Sequence, residues 1–274
     1  MDQSVYIVGI GGPSGSGKST IAEKVAEELD SPFHPVNFDT YFLPDKWPEE
    51  EIGDTGVVKP NAELPTGVDF ASALRDIHAV KAAAENGEGI PDVEQAFGTS
   101  AFGGPRWRSR SYRHTTTLEH RPVVIVLEGY LVFYPAEIAA LCDCCIWLDL
   151  DMHTSLERRY ARDGRKFEEN GISRDGKLCS SLPTGNNLGP TGRRAILKKT
   201  RLSSHLIVLD GIPTTAGFVT WYTHMVWKYY EIHKPQQLDN AGPAVLRMDA
   251  SLSLTELVAT ALKHTKRVLL NARL

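Results

Sequence analysis

Eight residues near the start of the chain carry its strongest chemistry: Gly12-Pro13-Ser14-Gly15-Ser16-Gly17-Lys18-Ser19, the pattern G-x-x-x-x-G-K-[ST]. An apolar run from Val5 to Ile10 precedes it, and a helical pattern from Ser19 to Leu29 follows. In that strand–loop–helix setting, glycines let backbone N–H groups turn inward around phosphate oxygens. The helix aims its positive dipole end at the same anion. Lys18 is expected to reach the β- and γ-phosphates of ATP, and the Ser19 hydroxyl to sit on Mg²⁺. The expected nucleotide-binding set is therefore Gly12, Ser14, Gly15, Ser16, Gly17, Lys18, Ser19 and Thr20.

Such a loop serves hydrolases, motors, switches and kinases alike. Residues at the ends of the next strands decide the reaction, because open α/β sheets collect ligands there. Asp39 ends the second expected strand in Asn37-Phe38-Asp39-Thr40-Tyr41-Phe42. A carboxylate in that place can take the proton of an attacking substrate hydroxyl, or position the hydroxyl; a turn-capping aspartate is the plain alternative. Glu128 ends the apolar strand Val123-Val124-Ile125-Val126-Leu127, where an acid suits the Mg²⁺ shell. Arg158 and Arg162 lie four apart on a helical pattern and share a face that Arg159 borders. Arginines so placed clamp phosphates and stabilise charge spreading over a transferred group, unless they only pair with carboxylates on a solvated face.

Alternating strands and helices must position these groups. Strands are expected at about 5–11, 33–38, 122–127, 144–150 and 244–248, with helices at 18–29, 69–85, 152–163, 218–233 and 253–270. That order implies an α/β fold, a three-layer sandwich with a mostly parallel sheet and helices on both faces. The 274 residues, 42% hydrophobic and 23% charged, can bury one large core as a single domain, with irregular insertions at about 86–121 and 165–216. A basic stretch, Arg193–Arg201, gives the second insertion three readings: contact with an anionic partner, a solvated loop, or translated non-coding sequence. Cys142, Cys144, Cys145 and Cys179 read as structural thiols, since strand geometry sends Cys144 and Cys145 to opposite faces. A net charge of −4 argues against wholesale nucleic-acid binding. No apolar stretch approaches a membrane span, and the first strand begins too early for a signal peptide, so the expected location is cytoplasmic. Nothing in the sequence specifies an oligomeric state.

Four blocks together resemble the phosphoribulokinase/uridine kinase family of P-loop kinases, and its ribonucleoside kinases in particular. They are Gly12–Ser19, Asp39–Phe42, Asn61–Phe70, and Val126–Tyr130 continuing to Arg158–Asp163. The resemblance implies Asp39 as catalytic base, with Lys18, Arg159 and Arg162 acting on the phosphates beneath a lid. It implies a substrate-binding set of Asp39, Tyr41, Glu63 and Arg159, and Mg²⁺ on Ser19 and Glu128. Glu63 stands where the family has an aspartate that holds the ribose hydroxyls; Ala62 replaces the preceding aromatic, and Gly67 replaces an alanine. Uridine–cytidine kinases carry a hairpin that Ser111-Tyr112-Arg113-His114 matches in part. Nicotinamide riboside kinases carry V-W-P-x-Y, similar to Val226-Trp227-Lys228-Tyr229-Tyr230. Either subfamily implies transfer of the ATP γ-phosphate to a ribose 5′-hydroxyl, with no nucleic-acid or membrane partner. Two alternatives stand beside it: a kinase for another small alcohol such as pantothenate or a sugar phosphate, and a nucleotide-binding protein whose lid is disabled by 165–216.

Overall fold

The computed structural model describes residues 4–86, 91–110, 122–169 and 213–271. Its first half contains β1 (Val5–Gly11), α1 (Lys18–Glu28), β2 (Val36–Asn37), β3 (Glu49–Glu51), β4 (Val58–Pro60), α2 (Phe70–Glu85) and α3 (Val93–Ala96). There follow β5 (Val123–Glu128), α4 (Ala136–Leu141), β6 (Cys144–Asp149) and α5 (Met152–Glu169). A continuous helical stretch then runs through α6 (Pro213–Trp221), a π-helical turn (Tyr222–Trp227) and α7 (Lys228–Ala241), before β7 (Leu246–Asp249) and α8 (Leu254–Asn271).

Period-two burial builds the layers. Five strands pair in the order β2-β5-β1-β6-β7, every neighbouring pair parallel. Ile7, Ile125 and Trp147 point to one face, where they pack with Ile77 and Val80 of α2, Ile138 of α4 and Tyr230 of α7. Val8, Ile10, Val126 and Ile146 point to the other, against Ile21 and Val25 of α1 and Leu257 and Ala261 of α8. A strand apolar on both faces is what a parallel sheet covered twice requires. The fold is accordingly α/β with a helical layer on each side. Cys144 and Cys145 fall in opposite cores, as strand geometry demands, while Cys179 lies outside the described residues. Among the described residues no helix is long and apolar enough to cross a membrane.

Local chemistry moved several boundaries. The expected strand at 33–38 pairs only over Val36–Asn37, because the Asn37 side-chain oxygen accepts the Asp39 N–H at 2.7 Å and turns the chain into a 3₁₀ turn, Phe38–Tyr41. The helix expected at 218–233 begins at Pro213 and runs, through the π turn, to Ala241, where Gly242 stops it with φ of 76°. Residues 91–110 of the first expected insertion carry the short helix α3, are otherwise irregular, and are packed. Trp107 is buried edge-on to Phe33, ring centroids 5.3 Å apart, and Val93 is wholly enclosed. Residues 111–121, with the Ser111–His114 hairpin match, and 170–212, with the Arg193–Arg201 stretch, lie outside the described residues.

Tyr41 departs from its expected substrate-binding place. Its ring is fully buried, its hydroxyl donates to Asp76 Oδ2 at 2.9 Å and accepts from Trp107 Nε1 at 2.7 Å. The turn that lifts Asp39 into the cleft sends Tyr41 inward, where it ties α2 to the 91–110 segment. Tyr41→Phe would leave two buried polar groups without their shared partner, which is expected to lower stability by about 1–3 kcal/mol. Urea denaturation beside a nucleoside titration checks this; weakened nucleoside affinity at unchanged stability would return Tyr41 to the substrate-binding set.

Candidate active site

At the carboxyl end of the sheet a cleft of about 490 Å³ opens between the β1–α1 loop, the β2 turn, the β5 end and α5. Ile10 pairs with Glu128 across β1 and β5, and Asn37 pairs with the same Glu128 from β2, so three strand ends finish level. The loop after β1 turns at Gly12, φ 143°, where an added Cβ would lie 2.5 Å from the Leu148 carbonyl oxygen. No other residue fits that approach. Gly17 starts α1 without any side-chain cap, so the first N–H groups of the helix remain available to an anion.

Of the expected nucleotide-binding residues, Ser14, Gly15, Gly17, Lys18, Ser19 and Thr20 line the cleft. Gly12 instead shapes the turn, and Ser16 is buried at 1% exposure with its N–H returned to Pro13 O at 3.3 Å. Lys18 Nζ donates to Pro13 O at 2.8 Å, curled over its own loop. Burial lowers its pKa against the pull of Glu128 and Asp39. The Ser19 hydroxyl donates to Glu128 Oε1 at 2.9 Å.

Asp39, Glu63 and Glu128 share the cleft with Lys18, Arg159 and Arg162. Asp39 opens onto the cleft but is otherwise surrounded by protein; burial raises its pKa, opposed by Lys18, Arg159 and Arg162. Burial also pushes Glu63 up to about 7, with Arg159 pulling it down and Asp39 adding to the rise. Glu128 is pushed up to about 6 by burial, while Lys18 holds it back. Glu63 is aimed by a chain of bonds. Its N–H donates to Oδ1 of the buried Asn61 at 2.9 Å, and Asn61 Nδ2 donates to Glu50 Oε2 at 2.5 Å. Glu50 in turn accepts from Lys228 Nζ at 2.8 Å and Tyr229 Oη at 2.6 Å. Lys228, the residue in place of proline in the V-W-P-x-Y match, therefore braces the β3 strand that supports Glu63.

The arginines divide their work. Arg158 donates to Gly15 O at 3.3 Å and Ala250 O at 3.0 Å, while Arg159 and Arg162, the pair that the resemblance assigns to phosphates, line the cleft. Arg159 Nη1 donates to Ser14 Oγ at 2.6 Å, and its Nε pairs with Asp163 at 2.6 Å. Arg162 Nε pairs with the same carboxylate at 3.2 Å. Sequence reasoning missed a strap beneath them: the buried Ser155 hydroxyl bonds to Ser14 O and to Tyr222 Oη, fastening the phosphate loop to α5 and to the π turn. Helical spacing on α5 could have pointed to Ser155, but nothing local points to Tyr222. Three aromatics of the cleft, Phe42, Trp47 and Phe102, were also missed, two of them lying outside any matched block.

Ser19 and Glu128 offer a hydroxyl and a carboxylate side by side, the hard oxygen donors Mg²⁺ prefers. No group of three His, Cys, Asp or Glu among the described residues could hold a metal unaided. That fits an ion which keeps several waters and takes its other ligands from phosphates.

A glycine-rich phosphate loop at the carboxyl end of a parallel sheet, faced by acids and arginines, defines a P-loop nucleotide-binding protein. The model of the phosphoribulokinase/uridine kinase family matches residues 7–176, and the chain belongs to that family of P-loop kinases. It is 32% identical over 171 residues to a nicotinamide riboside kinase of Eremothecium gossypii, covering 60% of this chain and 66% of that protein. It is 28% identical over 177 residues to uridine-cytidine kinase B of Dictyostelium discoideum, covering 63% of each. A uridine kinase of Clostridium tetani is 24% identical over 183 residues, 66% of this chain and 78% of that one. The chain thus spans just under two thirds of the first two relatives' length.

If Glu128 holds Mg²⁺ it does so through its carboxylate, so protons and the metal would compete. Affinity for Mg²⁺-nucleotide is expected to fall as pH drops through about 6, with proton release on binding that grows over the same range. Titration calorimetry in buffers of different ionisation enthalpy reads both; an affinity flat across that window would remove Glu128 from the metal site.

Proposed function

We propose that this chain is an ATP-dependent kinase that transfers the γ-phosphoryl group to the 5′-hydroxyl of a ribonucleoside. The observation that carries the reading is the opposition, in one cleft, of a phosphate loop with Arg159 and Arg162 to two carboxylates, Asp39 and Glu63. Hydrolysis of ATP could use one carboxylate on water; a second one, Glu63, is what a bound polyol adds.

In this reading the loop amides and Lys18 hold the ATP phosphates, and Lys18 leaves Pro13 O for them. Glu63 accepts hydrogen bonds from two ribose hydroxyls. Asp39, its basicity raised by burial, takes the proton of the 5′-hydroxyl as that oxygen attacks the γ-phosphorus. The bond from that phosphorus to the β–γ bridging oxygen breaks, and ADP leaves. Arg159 and Arg162 balance the charge spread over the transferred group. Mg²⁺, held by Ser19 and Glu128, would supply further neutralisation of the phosphates. Closure of α5 over the cleft would exclude water from the reacting phosphoryl group.

The relatives are named for nicotinamide riboside and for uridine and cytidine, which makes those three compounds the panel to measure. ATP consumption stimulated by at least one of them is the expected result; ATP binding without turnover of any would overturn the proposal. Lys18→Ala and Asp39→Asn are each expected to lower kcat by about 10²–10⁴-fold. Full activity in Asp39→Asn would remove the base. Glu63→Ala should chiefly raise KM for the nucleoside, and a wild-type enzyme should lose nucleoside affinity as pH falls through about 7, where Glu63 takes up its proton. An unchanged KM in that variant would assign the sugar to another group.

A further inference from the structure

Glu63 carries one side-chain torsion more than an aspartate would, so its aim depends on how firmly its own backbone is held. The β3–β4 hairpin supplies that hold. Glu50 stands opposite Lys59 in the hairpin register, and just past the hairpin's end the Asn61 N–H donates to Pro48 O at 2.8 Å. The Asn61 side chain lies wholly inside the protein. Its Oδ1 accepts the Glu63 N–H, closing a turn in which a side-chain amide bonds the backbone two residues on.

A side-chain amide can present either its oxygen or its nitrogen to a neighbour, and the partners decide which. The Glu63 N–H is a donor and requires the oxygen. The Glu50 carboxylate only accepts and requires the nitrogen, which it receives from Asn61 Nδ2 at 2.5 Å. The two demands agree. Burial would raise the Glu50 pKa, but hydrogen bonds from Lys228, Tyr229 and Asn61 outweigh it and hold the group below its ordinary value, ionised and without a proton to donate. A turned Asn61 amide would set Nδ2 against the Glu63 N–H, donor to donor, at a depth where water cannot take the place of the lost acceptor. The Lys228 side chain is 47% exposed, so its ion pair with Glu50 contributes little by charge alone. What Glu50 contributes is its lone pairs.

We propose that Glu50, which lies outside the four blocks of the family resemblance, is a positioning residue for the acceptor: by fixing the orientation of the Asn61 amide it sets the backbone of Glu63, and with it the place where that carboxylate meets the sugar hydroxyls. This rests on the kinase reading and deepens it. The arrangement requires an acceptor oxygen at position 50, whatever the charge there.

Steady-state kinetics with uridine and nicotinamide riboside test this, with urea denaturation alongside. Glu50→Gln keeps an acceptor oxygen and is expected to hold KM for whichever nucleoside is used within about threefold of wild type. Glu50→Met, of similar length, offers none and should raise that KM about five- to thirtyfold. In both variants kcat and the KM for ATP should stay within about twofold. Exchanging the charges, Glu50→Lys together with Lys228→Glu, separates aim from anchorage. Stability lost in Glu50→Lys alone should return with the restored ion pair. A lysine only donates, however, so Asn61 must turn, and nucleoside KM should remain as high as in Glu50→Met. Wild-type KM in the exchanged protein, or the same KM in Glu50→Gln as in Glu50→Met, would overturn the positioning role; a raised KM in Glu63→Ala would still leave the kinase reading standing. Should the exchanged protein fail to fold, the comparison of Gln with Met decides the matter. Wild-type protein that turns over neither nucleoside would overturn both readings.

Discussion

Parallel pairing of β1 with β5, which sets Ile10 beside Glu128, is the constraint on which the active end of this molecule depends. β1 lies in the middle of the sheet and must enter its phosphate loop at a height where Ser19 can reach the Glu128 carboxylate. A slip of one residue would turn Ile10 out of its core and move Glu128 to the other face. Because Asn37 pairs with Glu128 as well, the same register lifts the 3₁₀ turn bearing Asp39 into the cleft. The sheet positions three chemical groups with a single set of hydrogen bonds.

Charge is the second organising term. Lys18, Arg159 and Arg162 face Asp39, Glu63 and Glu128, and burial raises all three carboxyl pKa values while lowering that of Lys18. A buried cation is eased by an anionic ligand and a buried carboxylate by hydroxyl donors, the two kinds of group that the proposed reaction brings together. Within the chain, Lys18 donates to Pro13 O, and Arg159 donates to Ser14 Oγ and pairs with Asp163.

The phosphate loop, the apolar strands and the helix at Phe70–Glu85 were legible because their signals are local: a fixed motif, an unbroken apolar run, a helical period. Asp39 and Glu128 could be picked out because each ends an apolar strand pattern, whereas Glu63, Arg159 and Arg162 were singled out by the family resemblance; the structure brings all five into one cleft. Tyr41 was misplaced because a 3₁₀ turn rotates side chains by about 120° per residue, so that its neighbours Asp39 and Phe42 reach the cleft while it points to Asp76. Helical spacing alone left Arg158, Arg159 and Arg162 together, for spacing defines a face but not the direction in which that face looks. Residues 91–110 read as filler, since Trp107 and Phe102 have no periodicity to announce them.

By itself the sequence determined the phosphate loop, along with the two-sided burial of a parallel sheet. Loop geometry, dipole direction and strand alternation are properties of neighbouring residues and survive without knowledge of the rest. Only the tertiary structure decided how the facing side of the cleft is built. Glu63 is aimed through Asn61, Glu50 and Lys228, residues up to 178 positions apart, and Trp47 is seated by Gly67 and faced by Phe102. Contacts between distant segments depend on how whole elements pack, and no local pattern encodes which notch a particular indole will fill.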